Sequence, residues 1–161
     1  MKYFWNEEDL IEHFTLSAKE RQLLVHKSGP AKIGFAVLMK FLQYEGRFPT
    51  SKNDVPMAVV RFIAAQINVK PEALARYKWQ GRNIEYHRPE IRKQLGFKKW
   101  RTEYVEPFVE WLKVNIVGKQ DRHDHQKEVL QNHLLSLKIE APKKIILDRI
   151  VDSARKRWED A

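Results

Sequence analysis

The sequence predicts an all-α fold, a compact bundle of six to eight helices, and three observations carry that prediction. Apolar residues recur at three- and four-residue steps along nearly the whole chain, the spacing of one face of an α-helix. No stretch sustains the strict alternation of a half-buried strand. Most glycines and prolines stand between the periodic stretches, where helices start and stop.

The elements follow in order. Ser17-Ala18-Lys19-Glu20 has capping-box spacing: Ser17 caps a helix start and Glu20 reaches back to the free amide. Gly29-Pro30 breaks the chain, and Ile33, Val37, Leu38, Phe41, Leu42 and Tyr44 then mark a helix that ends at Glu45-Gly46. Phe48-Pro49 keeps it from restarting. Asn53-Asp54 opens the next helix, with Pro56 near its first turn and Val59, Val60, Ile63 and Ile67 as its buried stripe. A short Asn68-Val69-Lys70 connection leads to Pro71, which starts a helix through Leu74 and Tyr77 that Gly81 interrupts. Pro89 begins a short helix over 90–95, closed by Gly96. Val105, Phe108, Val109, Leu112 and Ile116 form an amphipathic helix ended by Gly118. Val129, Leu130, Leu134 and Leu137 mark another, and Pro142 starts the last, with Leu147, Ile150, Val151, Ala154 and Trp158 on one face. The acidic stretch after Arg101 is a seam between a basic helical subdomain, 1–102, and a second subdomain or continuation of the same bundle, 103–161.

Composition narrows the function. The chain has 161 residues, 43% of them apolar and 11% aromatic, enough for a real core and too much for a disordered tail. It has no cysteine, hence no disulfide framework, thiolate zinc site or cysteine nucleophile. No apolar run suggests a membrane span, and the N-terminus, MKYFWNEEDL, turns acidic too early for a secretory or transit peptide. A cytoplasmic protein is the economical reading. The net charge of +9 is unevenly placed. Residues 21–70 and 71–102 each carry an excess of +6, while 1–20 and 103–140 are acidic. Such self-repulsion is tolerated more readily when a polyanion is the normal partner, although a soluble basic surface has the same composition.

Two stretches fit nucleic acid. Residues 57–79 read as helix, short turn, helix, with Ala64-Ala65 small enough for close packing and Val69 apolar inside the turn. That is the spacing of a helix-turn-helix, whose second helix can lie in the DNA major groove; it is also the spacing of an ordinary αα-hairpin. The exposed candidates are Lys70, Arg76, Lys78, Gln80 and Arg82, because Arg pairs with guanine edges, Gln with adenine, and Lys with phosphate. The second stretch holds Arg88, Arg92, Lys93, Lys98, Lys99 and Arg101, phosphate-clamp candidates interleaved with Tyr86, Phe97 and Trp100. Phe97 and Trp100 are read as core residues beneath snorkelling cations. The basic residues of the last helix, among them Lys143, Lys144, Arg149, Arg155, Lys156 and Arg157, are diluted by Asp148, Asp152 and Glu159 into a salt-bridged face.

The remaining clusters argue against an active site. His123-Asp124-His125, with Asp121 and His133, resembles a metal site only in composition, since residues two apart on a helix do not share a face. Glu7, Glu8, Asp9 and Glu12 form a solvated helix face rather than a nuclease centre. No phosphate-binding loop, nucleophile elbow or metalloprotease motif occurs, so neither metal nor other cofactor is expected.

Several stretches taken together resemble a known family. Phe14-Thr15-Leu16-Ser17 with Glu20, Ile33-Gly34-Phe35-Ala36-Val37, and Tyr44-Glu45-Gly46-Arg47-Phe48-Pro49 are similar to the N-terminal region of the Tn-three-family transposases of replicative bacterial transposons. Val55-Pro56, Ile63-Ala64-Ala65-Gln66, the Pro71 to Tyr77 segment, Leu95-Gly96-Phe97 and the Pro142 helix continue the resemblance over nearly the whole chain. It implies a DNA-binding module that recognises terminal inverted repeats. Its partners would be double-stranded DNA, nucleoid-associated when bound, and the remainder of the transposase chain. Membrane and small-molecule substrate are not expected. The catalytic domain would lie elsewhere in the parent enzyme. The competing reading is a helical protein–protein interaction module of the same assembly.

Overall fold

The computed structural model describes residues 4–116, 118 and 121–161, so the first three residues of the N-terminal segment read above lie outside it. Eight α-helices run through the described residues: α1 (Glu7–Phe14), α2 (Ala18–Gln22), α3 (Gly29–Glu45), α4 (Met57–Gln66), α5 (Arg82–Leu95), α6 (Val105–Val114), α7 (His123–Ser136) and α8 (Lys144–Asp160). Three short 3-10 helices, Lys52–Asp54, Pro71–Arg76 and Thr102–Tyr104, lie between them. The fold is all-α; among the described residues the only β feature is an isolated parallel bridge between Lys98 and Ile139. Backbone contacts divide the chain into two compact units, Met1–Leu95 and Gly96–Ala161.

The first unit is built on α3, whose residues from Ile33 to Leu42 are all buried. A helix apolar on every side must be enclosed, and α1, α4, α5 and the Pro71–Arg76 turn all pack on it. One charged residue sits in that run. Lys40 is 5% exposed, and its ammonium donates to Glu20 Oε1 at 2.8 Å. The same oxygen accepts the Ser17 amide at 2.8 Å, while Ser17 Oγ accepts the Glu20 amide at 3.1 Å. Gln43 donates to the other carboxylate oxygen at 2.6 Å. The capping box expected from the sequence is therefore complete, and its carboxylate also neutralises a buried cation. Burial is the largest influence on Glu20 and would raise its pKa. The hydrogen bonds from Lys40, the Ser17 amide and Gln43, with the Lys40 charge, outweigh it and hold the pKa below the ordinary value.

Gln66, at the end of α4, ties the first helices down. Its side chain accepts the Leu16 amide at 2.8 Å and donates to the Phe14 carbonyl at 2.9 Å. Trp5 packs edge-on against Phe14 and Tyr44, which tilt against each other, and the three rings close the same end. After α4 the chain turns at Asn68, which takes a left-handed φ of 56°. Asn visits that region more readily than most residues, and the Val69 amide closes the turn on the Ala64 carbonyl at 3.1 Å.

The second unit packs α6 and α7 against α8 around Phe108, Leu112, Leu130, Leu134, Ile150 and Val151. Lys98 donates its amide to the Lys138 carbonyl at 2.8 Å, and its carbonyl accepts the Glu140 amide at 2.8 Å. These two bonds fasten the start of the unit to the α7–α8 connection. Trp111 and His133 stack at 3.7 Å between centroids, 3° from parallel, and burial lowers the His133 pKa, favouring the neutral ring.

Three local expectations are corrected. The stretch starting at Pro71 is a six-residue 3-10 turn, not an α-helix. Gly81 marks the start of α5 rather than a gap before a helix beginning at Pro89, which lies inside α5. The helix expected from Asn53 begins at Met57, after a separate 3-10 turn.

Candidate nucleic-acid interface

The 70–82 segment shows how a basic surface is made from a short irregular stretch. Ala73, Leu74 and Tyr77 turn inward and are nearly fully buried. Tyr77 lies where α3 carries Gly34; a Cβ at position 34 would stand 2.2–2.6 Å from the tyrosine ring. The missing side chain is the space the ring occupies, so this glycine serves close approach rather than a special φ. The Tyr77 hydroxyl lies 2.7 Å from Nδ1 of buried His87 on α5. Burial pushes Tyr77 up to about 12, with the nearby Arg88 charge acting the other way. Burial, then the Lys27 charge, lowers His87 against the opposing pull of Glu90. Both groups are therefore neutral near pH 7, and the imidazole tautomer sets which of them donates.

With those three residues inside, their neighbours point out. Lys70, Arg76, Lys78, Gln80 and Arg82 are all exposed, and no side-chain hydrogen bond or ion pair engages the four cations among the described residues. Elsewhere cations are often engaged: Lys27 with Glu90, Lys40 with Glu20 and Arg47 with Glu45 in the same unit. In the second unit Lys127 pairs with Asp148, and Arg157 with Glu106 and Glu110. Arg155 donates to the Asp121 carbonyl at 2.7 Å and to buried Gln126 at 3.1 Å. Two of the six cations named for the last helix are thus bound internally, while Lys143, Lys144, Arg149 and Lys156 are exposed.

The second basic stretch falls across the two units. Arg88, Arg92 and Lys93 belong to the first, and Lys98, Lys99 and Arg101 to the second. Lys93 is exposed, whereas Arg88 and Arg92 are half-buried, with the Arg92 guanidinium over the Phe48 ring at 5.4 Å. Lys98 and Lys99 are exposed, and Arg101 pairs with Glu103 at 2.7 Å on an exposed surface. The acidic and histidine residues near α7 find separate partners: His123 with Asp152 at 3.1 Å and His125 with Asp121 at 2.7 Å. Among the described residues no three His, Asp or Glu side chains converge as a metal site.

Two features escaped sequence reasoning. The first is α5 itself, whose early turns expose Asn83, Glu85 and Tyr86; Ile84, His87 and Ile91 carried the helical spacing, but Pro89 read as a helix start. The second is an open groove of about 800 Å³ beneath the 71–76 turn, lined by Lys52, Pro56, Met57, Arg61, Pro71 and Leu74 among others. Its residues come from three separated stretches, which no local pattern joins.

A helical chain with an unpaired basic segment on its first unit defines a class, and sequence comparison gives the family. The chain belongs to the family described as a domain of unknown function, DUF4158, which matches residues 1–154. Its relatives include the transposase for transposon Tn501 of Pseudomonas aeruginosa, 26% identical over 91 residues. The transposase for transposon Tn1546 of Enterococcus faecium is 29% identical over 86 residues, and that for Tn3926 of Escherichia coli 24% over 107. These alignments cover 53–66% of this chain but only 9–11% of the relatives' own length. The resemblance to transposases read from the sequence is thereby shown. Among the described residues no helix is long and apolar enough to cross a membrane.

Proposed function

We propose that this chain is a DNA-binding module of a transposase, which recognises the terminal inverted repeats of its transposon and supplies no cutting or joining chemistry of its own. The observation that carries the reading is the exposed, unpaired basic run Lys70, Arg76, Lys78 and Arg82, held outward by the buried Tyr77. Unpaired cations suit phosphates, which accept charge-assisted hydrogen bonds and release counterions on contact, and an arginine among them can instead pair with a guanine edge. Transposase relatives supply the context in which such a surface is needed. Arg88, Arg92, Lys93, Lys98, Lys99 and Arg101 are proposed as further phosphate contacts, and the remainder of the transposase chain as the second partner.

The test is fluorescence anisotropy on a duplex carrying the transposon's terminal repeat and on a scrambled duplex, across salt concentrations. A hundredfold preference, about 2.7 kcal/mol, supports recognition of the transposon end. About six neutralised phosphates give a log–log salt slope near −5. Equal, steeply salt-dependent binding to both duplexes reduces the module to a non-specific clamp. No binding to either, together with DNA-independent self-association, replaces the reading by a protein-interaction module.

A further inference from the structure

We propose that α5 is the element that reads base edges, entering the major groove with the exposed strip Arg82, Tyr86, Pro89 and Lys93; this rests on the DNA-binding reading above. The 71–76 turn cannot do that work. As six residues of 3-10 helix it rises about 12 Å, and its middle, Ala73 and Leu74, is buried. The fourteen residues of α5 span about 21 Å, enough to lie along a groove.

The packing fixes which face is presented. Ile84, His87 and Ile91 point inward, and α5 packs on α3. The opposite face is therefore Arg82, Tyr86, Pro89 and Lys93, at steps of four, three and four, all exposed. The chemistry is concentrated in the first turns, where groove-reading helices usually contact bases. Arg82 suits the O6 and N7 of guanine, and Asn83 the N6 and N7 of adenine. Tyr86 is 69% exposed, a large ring placed between cations where it can cover a thymine methyl. Glu85 is exposed on the edge of the strip without an ion-pair partner among the described residues. A carboxylate is out of place on a pure phosphate clamp, which it would repel, but it can accept the N4 amine of cytosine. Lys93 near the far end, and Arg76 and Lys78 ahead of the helix, are left for phosphates.

The experiment uses the whole chain, its Arg82→Ala, Arg82→Lys and Tyr86→Ala variants, and Lys78→Ala as a phosphate-contact control. Each is titrated with the terminal-repeat duplex, the scrambled duplex, and repeat duplexes in which single thymines are replaced by uracil. The expected result is a loss of roughly tenfold or more on the repeat for Arg82→Ala and Tyr86→Ala, with little change on the scrambled duplex. Lys78→Ala should weaken both alike. At one position uracil should weaken the parent chain but not Tyr86→Ala. Circular dichroism and melting temperature should stay at parent values, as the residues are exposed. A parent chain with a hundredfold preference that Arg82→Ala and Tyr86→Ala leave intact overturns the α5 assignment while the end-binding reading stands. Equal losses on both duplexes also overturn it, by making these residues phosphate contacts. A parent chain that prefers neither duplex removes both proposals together.

Discussion

Glu20 shows how much one side chain can carry. It closes a capping box, neutralises Lys40 inside the α3 wall and accepts from Gln43. Replacing it by Gln keeps the shape and some hydrogen bonds but strands a buried ammonium, a loss of about 3 kcal/mol or more for breaking a buried pair. Thermal or urea unfolding of Glu20→Gln should show that drop, while Glu20→Asp should recover little because the shorter arm cannot span cap and lysine. Acid should mimic the lesion. The folded-state pKa lies below the ordinary 4.5, so the contribution is complete above that pH and drains away as pH falls through the folded value. A stability profile in which Glu20→Gln and the parent chain converge at low pH is the expected outcome; parallel curves down to acid pH would place the stabilisation elsewhere.

At the scale of elements, the contact between α3 and the 71–76 turn links stability to the basic surface. In Gly34→Ala the new methyl needs the space of the Tyr77 ring, and neither a helix backbone nor a buried ring yields cheaply. The expected cost is 1–3 kcal/mol, as for overpacked cores generally. The variant should also weaken duplex binding, because moving Tyr77 moves Arg76 and Lys78 with it. A Gly34→Ala chain of parent stability would show that the ring has another place to go. The same region marks the limit of what the sequence made legible. Ser17 with Glu20, the α3 stripe and the α8 stripe were plain because cap and period reinforce each other there. The 71–76 segment begins with Pro and has Leu and Tyr three apart, a spacing that both 3-10 and α geometry satisfy. Only its burial on α3 decides between them. Pro89 misled for a related reason: proline is favoured at a helix start, but this one sits outward in mid-helix, where solvent can satisfy the carbonyl left without its donor. The outward direction of Lys70, Arg76, Lys78 and Arg82 could be anticipated from charge alone, whereas the Tyr86 strip became visible only once α5 had its full length.

Over the whole molecule the charge is shared unequally. The first unit holds sixteen basic against ten acidic residues, and the second fourteen against eleven. A polyanion that binds the folded state should therefore stabilise chiefly the first unit. With the terminal-repeat duplex at a hundred times its Kd, the gain is about 2.7 kcal/mol. It should be read as a higher melting temperature for signals from Trp79 and Tyr77, with little change for those from Trp111 and Trp158, and should shrink as salt is raised. A shift of equal size in both sets of signals would give Lys98, Lys99 and Arg101 of the second unit as large a share of the DNA contact as the cations of the first. The units also differ in when they can form. The bridge that ties Lys98 to Lys138 and Glu140 joins the first residues of the second unit to a stretch made much later. During synthesis on the ribosome the first unit has all its own residues once Leu95 has emerged, and it can fold as a unit while the rest is still being made. The segment around Lys98 must wait, unbridged, for the α7–α8 connection to follow it out. The basic surface of the first unit can thus take shape before the residues of the second are made.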